Sequence, residues 1–70
     1  MTDTAKKMSL KALRNNKDMT QQELATKLNI HVNTYRGYEL EPAHIRIGTL
    51  IRICDILGCK ITDVDFYRGE

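Results

Sequence analysis

Within residues 31–39, Val32, Asn33, Arg36 and Gly37 fall on one side of a helix turning about 100° per residue, opposite Tyr35, Tyr38 and His31. Such a face is small and polar, and an α-helix carrying it fits the major groove of B-form DNA. Asn33 offers a donor–acceptor pair to adenine, and Val32 an apolar contact to a thymine methyl group. Arg36 offers its donors to guanine or to a phosphate. Gly37 costs about 1 kcal/mol against alanine in mid-helix. That cost points either to close backbone approach at this position or to a face that has given up base reading. For each of these side chains the plainer reading is a solvated helix surface.

Other chemistries lack their parts. His31 and His44 are isolated, no nucleophile stands beside a base, and no glycine-rich loop cradles a phosphate. Cys54 and Cys59 fall among helix-core positions and just past that helix, without zinc-type spacing, and read as buried or half-buried thiols. Neither catalysis, nor a metal, nor a cofactor, nor a small-molecule substrate is expected. A chain of 70 residues, 41% hydrophobic and 29% charged, makes one globular domain near the lower size limit for folding without a staple. No apolar run reaches the length that crosses a bilayer, and residues 1–9 lack a signal-peptide core. No membrane partner is expected, and a cytoplasmic location is.

The elements that must hold the polar face all read as helix, an all-α arrangement. A first helix over about residues 6–16 carries Leu10 and Leu13 and ends at Asn15 and Asn16. Thr20, with Glu23 three residues on, forms a capping box for a second helix with Leu24, Ala25 and Leu28 inward. Asn29 suits a left-handed stop, and Ile30 plugs the turn before the third helix, 31–39. Residues 40–46, with Pro42, form a loop. A fourth helix over 47–57 puts Ile47, Leu50, Ile53, Cys54 and Leu57 on one face and stops at Gly58. Ile61 and Val64 mark a final short turn, capped by Thr62 with Asp65 at its third position. The expected organisation is a flexible N-terminus over 1–6, one domain over 7–67 and a tail over 68–70.

Net charge is +2, and its distribution is uneven. Residues 1–19 set Lys6, Lys7, Lys11, Arg14 and Lys17 against Asp3 and Asp18, a net +3. Residues 20–41 are net −1, with Lys27 and Arg36 against Glu23, Glu39 and Glu41. A dedicated DNA binder has a stronger basic face. Ile45, Ile51, Ile56, Phe66 and Tyr67 exceed what so small a core needs. They are either scattered surface residues or a seam for another protein chain.

Taken in order, Leu10-Lys11-Ala12-Leu13-Arg14, Thr20-Gln21-Gln22-Glu23-Leu24-Ala25, Leu28-Asn29-Ile30, Thr34-Tyr35, Tyr38-Glu39 and Leu50-x-x-Ile53-Cys54-x-x-Leu57-Gly58 resemble the Cro and phage-repressor type of helix-turn-helix, the XRE family. The likeness runs from Leu10 to about Val64. It implies a compact five-helix bundle of the lambda-repressor-like kind, with the third helix as recognition helix. By the resemblance, Val32, Asn33 and Gly37 face base edges, Arg36 borders that surface, and Gln21 touches the DNA backbone or orients base-reading side chains. Lys17 is the other backbone candidate. Arg14 and Glu39 are implied to pair with each other inside the fold.

The chain departs from that pattern at Leu40-Glu41-Pro42-Ala43-His44, where the family often carries a glycine and a phosphate-touching Lys or Arg, and at His31, where Ser or Thr usually caps. Two functions follow. One is a Cro-like transcriptional regulator, a dimer reading a short, roughly palindromic double-stranded DNA operator. The other is an antirepressor on the same fold that docks onto a partner regulator. Phage or mobile-element origin is suggested by family habit.

Overall fold

The computed structural model describes residues 7–66. The expected flexible segment 1–6, Tyr67 and the tail 68–70 lie outside the described residues. Four α-helices follow in order, α1 (Leu10–Asn16), α2 (Gln21–Leu28), α3 (Val32–Leu40) and α4 (Ile47–Leu57), with 3-10 turns at Pro42–His44 and Ile61–Asp63. The expected fifth helix is therefore a single 3-10 turn. A lone turn there is enough to bring Val64, fully buried, onto the core.

Helices α1, α2 and α3 each start where a side chain takes up a backbone N–H that has no partner within the helix, whereas α4 starts after Arg46 without such a cap. Ser9 Oγ accepts from Ala12 N at 3.1 Å, so α1 begins at Leu10 and not near residue 6. The residue before that cap is committed elsewhere. Met8 N donates to Asp63 O at 2.9 Å, and Asp65 N donates to Met8 O at 2.9 Å. This parallel bridge between Met8 and Val64 is extended backbone that the helical pattern did not foretell. Thr20 and Glu23 form both halves of the capping box, at 3.0 and 2.8 Å. His31 caps α3 through Nδ1, which accepts from Asn33 N at 3.0 Å. The imidazole does here what a hydroxyl does elsewhere.

The stops are equally local. Asn29 takes φ 60° and ψ 43°, the left-handed conformation that a short amide side chain tolerates. Gly58 takes φ 68° after α4, and Cys59 N then closes the end by donating to Cys54 O at 3.0 Å. The loop after α3 tightens at Pro42, whose missing N–H costs nothing at the first position of a 3-10 turn. The last turn begins two residues earlier than the sequence suggests. Asp63 Oδ2 accepts from Lys60 N at 2.9 Å, so Asp63 takes the role expected of Asp65, and Lys60 the position expected of Thr62.

Leu10, Leu13, Leu24, Ala25, Leu28, Tyr35, Leu50, Ile53, Cys54, Leu57 and Val64 form the core. Helix α2 lies against both α3 and α4. Ile47 departs from expectation: it shares the angular face of Leu50 and Cys54 yet is 63% exposed. Periodicity fixes a residue's angle about the helix axis but not how far along the axis the core extends. Ile47 stands one turn beyond it. The expected seam divides as well. Ile45, Ile56 and Phe66 are half-buried against the core, whereas Ile51 is 46% exposed. Among the described residues Leu40, at 57%, and Ile47 join Ile51 as exposed large apolar side chains.

Leu50→Ala should lower stability by about 2–5 kcal/mol, as for buried leucines generally. Ile47→Ala should cost less than about 1 kcal/mol, because its side chain already meets water. Urea titration of both variants measures the difference, and equal losses would contradict the placement of α4.

Candidate nucleic-acid interface

A continuous line of polar contacts runs from the interior of the bundle to the outer face of α3. At its inner end Arg14 Nε donates to Glu39 Oε2 at 2.7 Å, with side chains 9% and 3% exposed. Arg14 Nη2 reaches Glu39 Oε1 at 3.4 Å. The same guanidinium donates from Nη1 to Met19 O at 2.8 Å and to Asn15 Oδ1 at 3.2 Å. One side chain of α1 thus holds the turn into α2 and the last turns of α3. Gln21, first residue of α2, donates from Nε2 to Glu39 Oε1 at 2.9 Å. Its own Oε1 accepts from Arg36 Nε at 3.4 Å. Arg36 Nη1 in turn donates to Asn33 Oδ1 at 3.2 Å. Gln21 is half-buried, and Arg36 and Asn33 are exposed. The line ends in water.

The electrostatics follow from that geometry. Burial pushes the Glu39 carboxyl up, but hydrogen bonding to Arg14 and Gln21, the nearby Tyr35 hydroxyl and the Arg14 charge outweigh it, leaving Glu39 below its ordinary value. The Glu39 hydrogen bond raises Arg14 further above an already basic value, against the effect of burial. Burial first, then the Glu39 carboxylate, raises Tyr35. Its ring is fully buried and meets Tyr38 edge-on at 6.2 Å, but its hydroxyl has no partner in hydrogen-bond geometry among the described residues.

The base-facing candidates are not placed alike. Asn33, Arg36 and Gly37 lie on the open side of α3, while Val32 is half-buried and leans on the core. A methyl group added at Gly37 would meet nothing within 4 Å, so the fold's own packing gives no reason for glycine there. Lys17 stands apart from the line. Its Nζ lies 3.4 Å from where a Cβ on Gly58 would be, over the C-terminal end of α4, where a cation is favoured by the helix dipole. Lys11, which the sequence reading passed over, lines an open hollow with Asn15, Asp18, Thr20 and Gln21 at the start of α2. Its signal was the spacing of four between Lys11 and Asn15 on one short helix.

The two thiols are free, Cys54 buried and Cys59 half-buried. Burial, with the adjacent Cys59 next in effect, pushes the Cys54 thiol up to about 12, which makes it a poor nucleophile at neutral pH. Among the described residues no cluster of metal-ligating side chains forms, and no helix is long and apolar enough to cross a membrane.

A short helix held across its predecessor, with hydrogen-bonding side chains outward and a buried ion pair behind them, defines a helix-turn-helix of the kind that enters a DNA groove. A family profile described as Helix-turn-helix matches residues 10–64, and the chain belongs to that family, of the XRE type. This is a family of DNA-binding transcription regulators and not one of enzymes. Comparison with curated proteins and with solved structures gives no match.

Glu39→Gln should destabilise the fold by about 3–5 kcal/mol, because Arg14 is left buried beside a neutral partner. The pH dependence has a definite sign. Glu39 binds its proton less readily folded than unfolded, so its contribution is complete above the ordinary value of 4.5 and is lost as pH falls through the depressed value. Denaturant titrations from neutral to acidic pH should show a decline as pH falls below 4.5 in the parent that is shallower in Glu39→Gln.

Proposed function

We propose that this chain is a small sequence-specific repressor of the Cro-like kind, placing α3 in the major groove of a double-stranded operator. The observation that carries the reading is the line from Arg14 through Glu39, Gln21 and Arg36 to Asn33. It holds exposed polar side chains in fixed positions where nothing in the protein needs them, and preorganised donors of that kind suit base edges. Gln21 and Lys11, beside the start of α2, supply the phosphate side of the contact. Gly37 supports the reading because its open surroundings let another molecule's surface approach the backbone. Binding as a dimer compensates for the few basic groups on 20–41, since two half-sites add. The exposed Leu40, Ile47 and Ile51 offer apolar surface for the second copy. They equally favour the other reading, in which the same fold docks onto a partner regulator as an antirepressor.

Fluorescence anisotropy with duplex DNA at two salt concentrations tests the first reading. Binding should weaken as salt rises, and Arg36→Ala should weaken it further. Absence of binding at low salt and high protein concentration would refute the repressor reading. Gly37→Ala should separate two properties: stability rises by about 0.5–1 kcal/mol from helix propensity, while affinity for DNA falls. An affinity that rises with stability would remove Gly37 from the contact surface. For assembly, sedimentation of an Ile47→Glu, Ile51→Glu variant should show loss of the dimer at concentrations where the parent is dimeric. Identical profiles would exclude this surface as the seam.

A further inference from the structure

The amide orientations along the polar line follow from which groups can donate and which can only accept. A carboxylate only accepts, so Gln21 must turn Nε2 to Glu39, where the contact is 2.9 Å. That leaves Gln21 Oε1 facing Arg36, whose Nε–H donates to it at 3.4 Å. A guanidinium has no acceptor, so the Asn33 atom 3.2 Å from Arg36 Nη1 must be the carbonyl oxygen, Oδ1. The donor-only guanidinium thus sets which end of Asn33 faces it, while Glu39 and Gln21 act upstream by holding that guanidinium in place.

That orientation changes what α3 can read. An asparagine that reads adenine uses both ends, with its oxygen accepting from N6 and its amino group donating to N7. Here one of the two lone pairs of Oδ1 is already taken by Arg36. An adenine amino group approaching the same oxygen would be pressed against a guanidinium, donor against donor. What remains free on the exposed face is the Nδ2 amino group of Asn33 and the uncommitted N–H groups of Arg36. We propose that Asn33 and Arg36 act as one donor-only reader, oriented by Gln21, that selects guanine over adenine within the half-site. Guanine presents two acceptors, O6 and N7, to the major groove, whereas adenine presents a donor beside its acceptor. Charge agrees with the assignment, since a cationic donor pair gains most from an edge that carries only lone pairs. This inference rests on the groove-reading function proposed above.

Selection from a random duplex library with the full chain at low salt tests both, and separates them. The expected result is an enriched site containing a guanine whose preference is lost in Arg36→Ala and reduced in Gln21→Ala, with both variants retaining the parent's circular dichroism. Replacing that guanine by 7-deazaguanine, which lacks the N7 acceptor, should weaken binding by on the order of tenfold. Enrichment of adenine at the position relaxed by Asn33→Ala, with no guanine sensitive to Arg36→Ala, would overturn the donor-only reader and leave groove reading intact. Retention of duplexes without base preference would overturn it in the same way. A library not retained at all would overturn the function and the inference together.

Discussion

The arrangement turns on the ion pair between Arg14 and Glu39, 2.7 Å apart and almost wholly out of water. An isolated charge in that setting would cost several kcal/mol, and the pair is tolerable only because the remaining donors and acceptors are engaged. Met19 O and Asn15 take further guanidinium hydrogens, and Gln21 donates to the carboxylate. The consequence is geometric as much as energetic. Three helices and one turn must stand in a single relation for every one of those contacts to form. A core of aliphatic side chains alone would permit small slides of α3 over α2. The directional contacts at Glu39 do not.

Much of this fold was legible in the sequence because its stops and starts are local chemistry. Thr20 with Glu23, Asn29 and Gly58 each act through atoms within a few residues, so their types alone fix the limits of α2 and the end of α4. Ser9 was less visible. Its capping role depends on Met8 being drawn into a pairing with residues 63–65, a contact between distant parts of the chain that no local pattern announces. The exposure of Ile47 has a related cause: helical period gives angle, and only the neighbouring helices decide where the core ends.

The polar site was legible by type but not by connection. Asn33, Arg36 and Gln21 can be picked out as hydrogen-bonding residues on the right faces, and Arg14 and Glu39 as partners by resemblance. What the sequence does not display is that these side chains form one line, in which each side chain is held in place by the one before it. Read singly, Asn33 is an adenine reader. Read in the line, its oxygen already accepts from a cation. Lys17 illustrates the same limit, since its charge suggested a phosphate while its reach allowed it to settle over the end of α4.

The clasp of Met8 against Asp63 and Asp65 joins backbone near the two limits of the described chain. The pairing holds residue 8 and residues 63–65 together, so neither can leave the bundle without the other losing its backbone partners. Peeling residues 7–9 away frees the backbone partners of 63–65, and loosens the hold on Val64, a member of the core. Closing so long a loop costs only logarithmically more entropy than closing a short one. Loss of order at either extremity is thereby tied to loss of order at the other, and a bundle this small behaves as one cooperative unit.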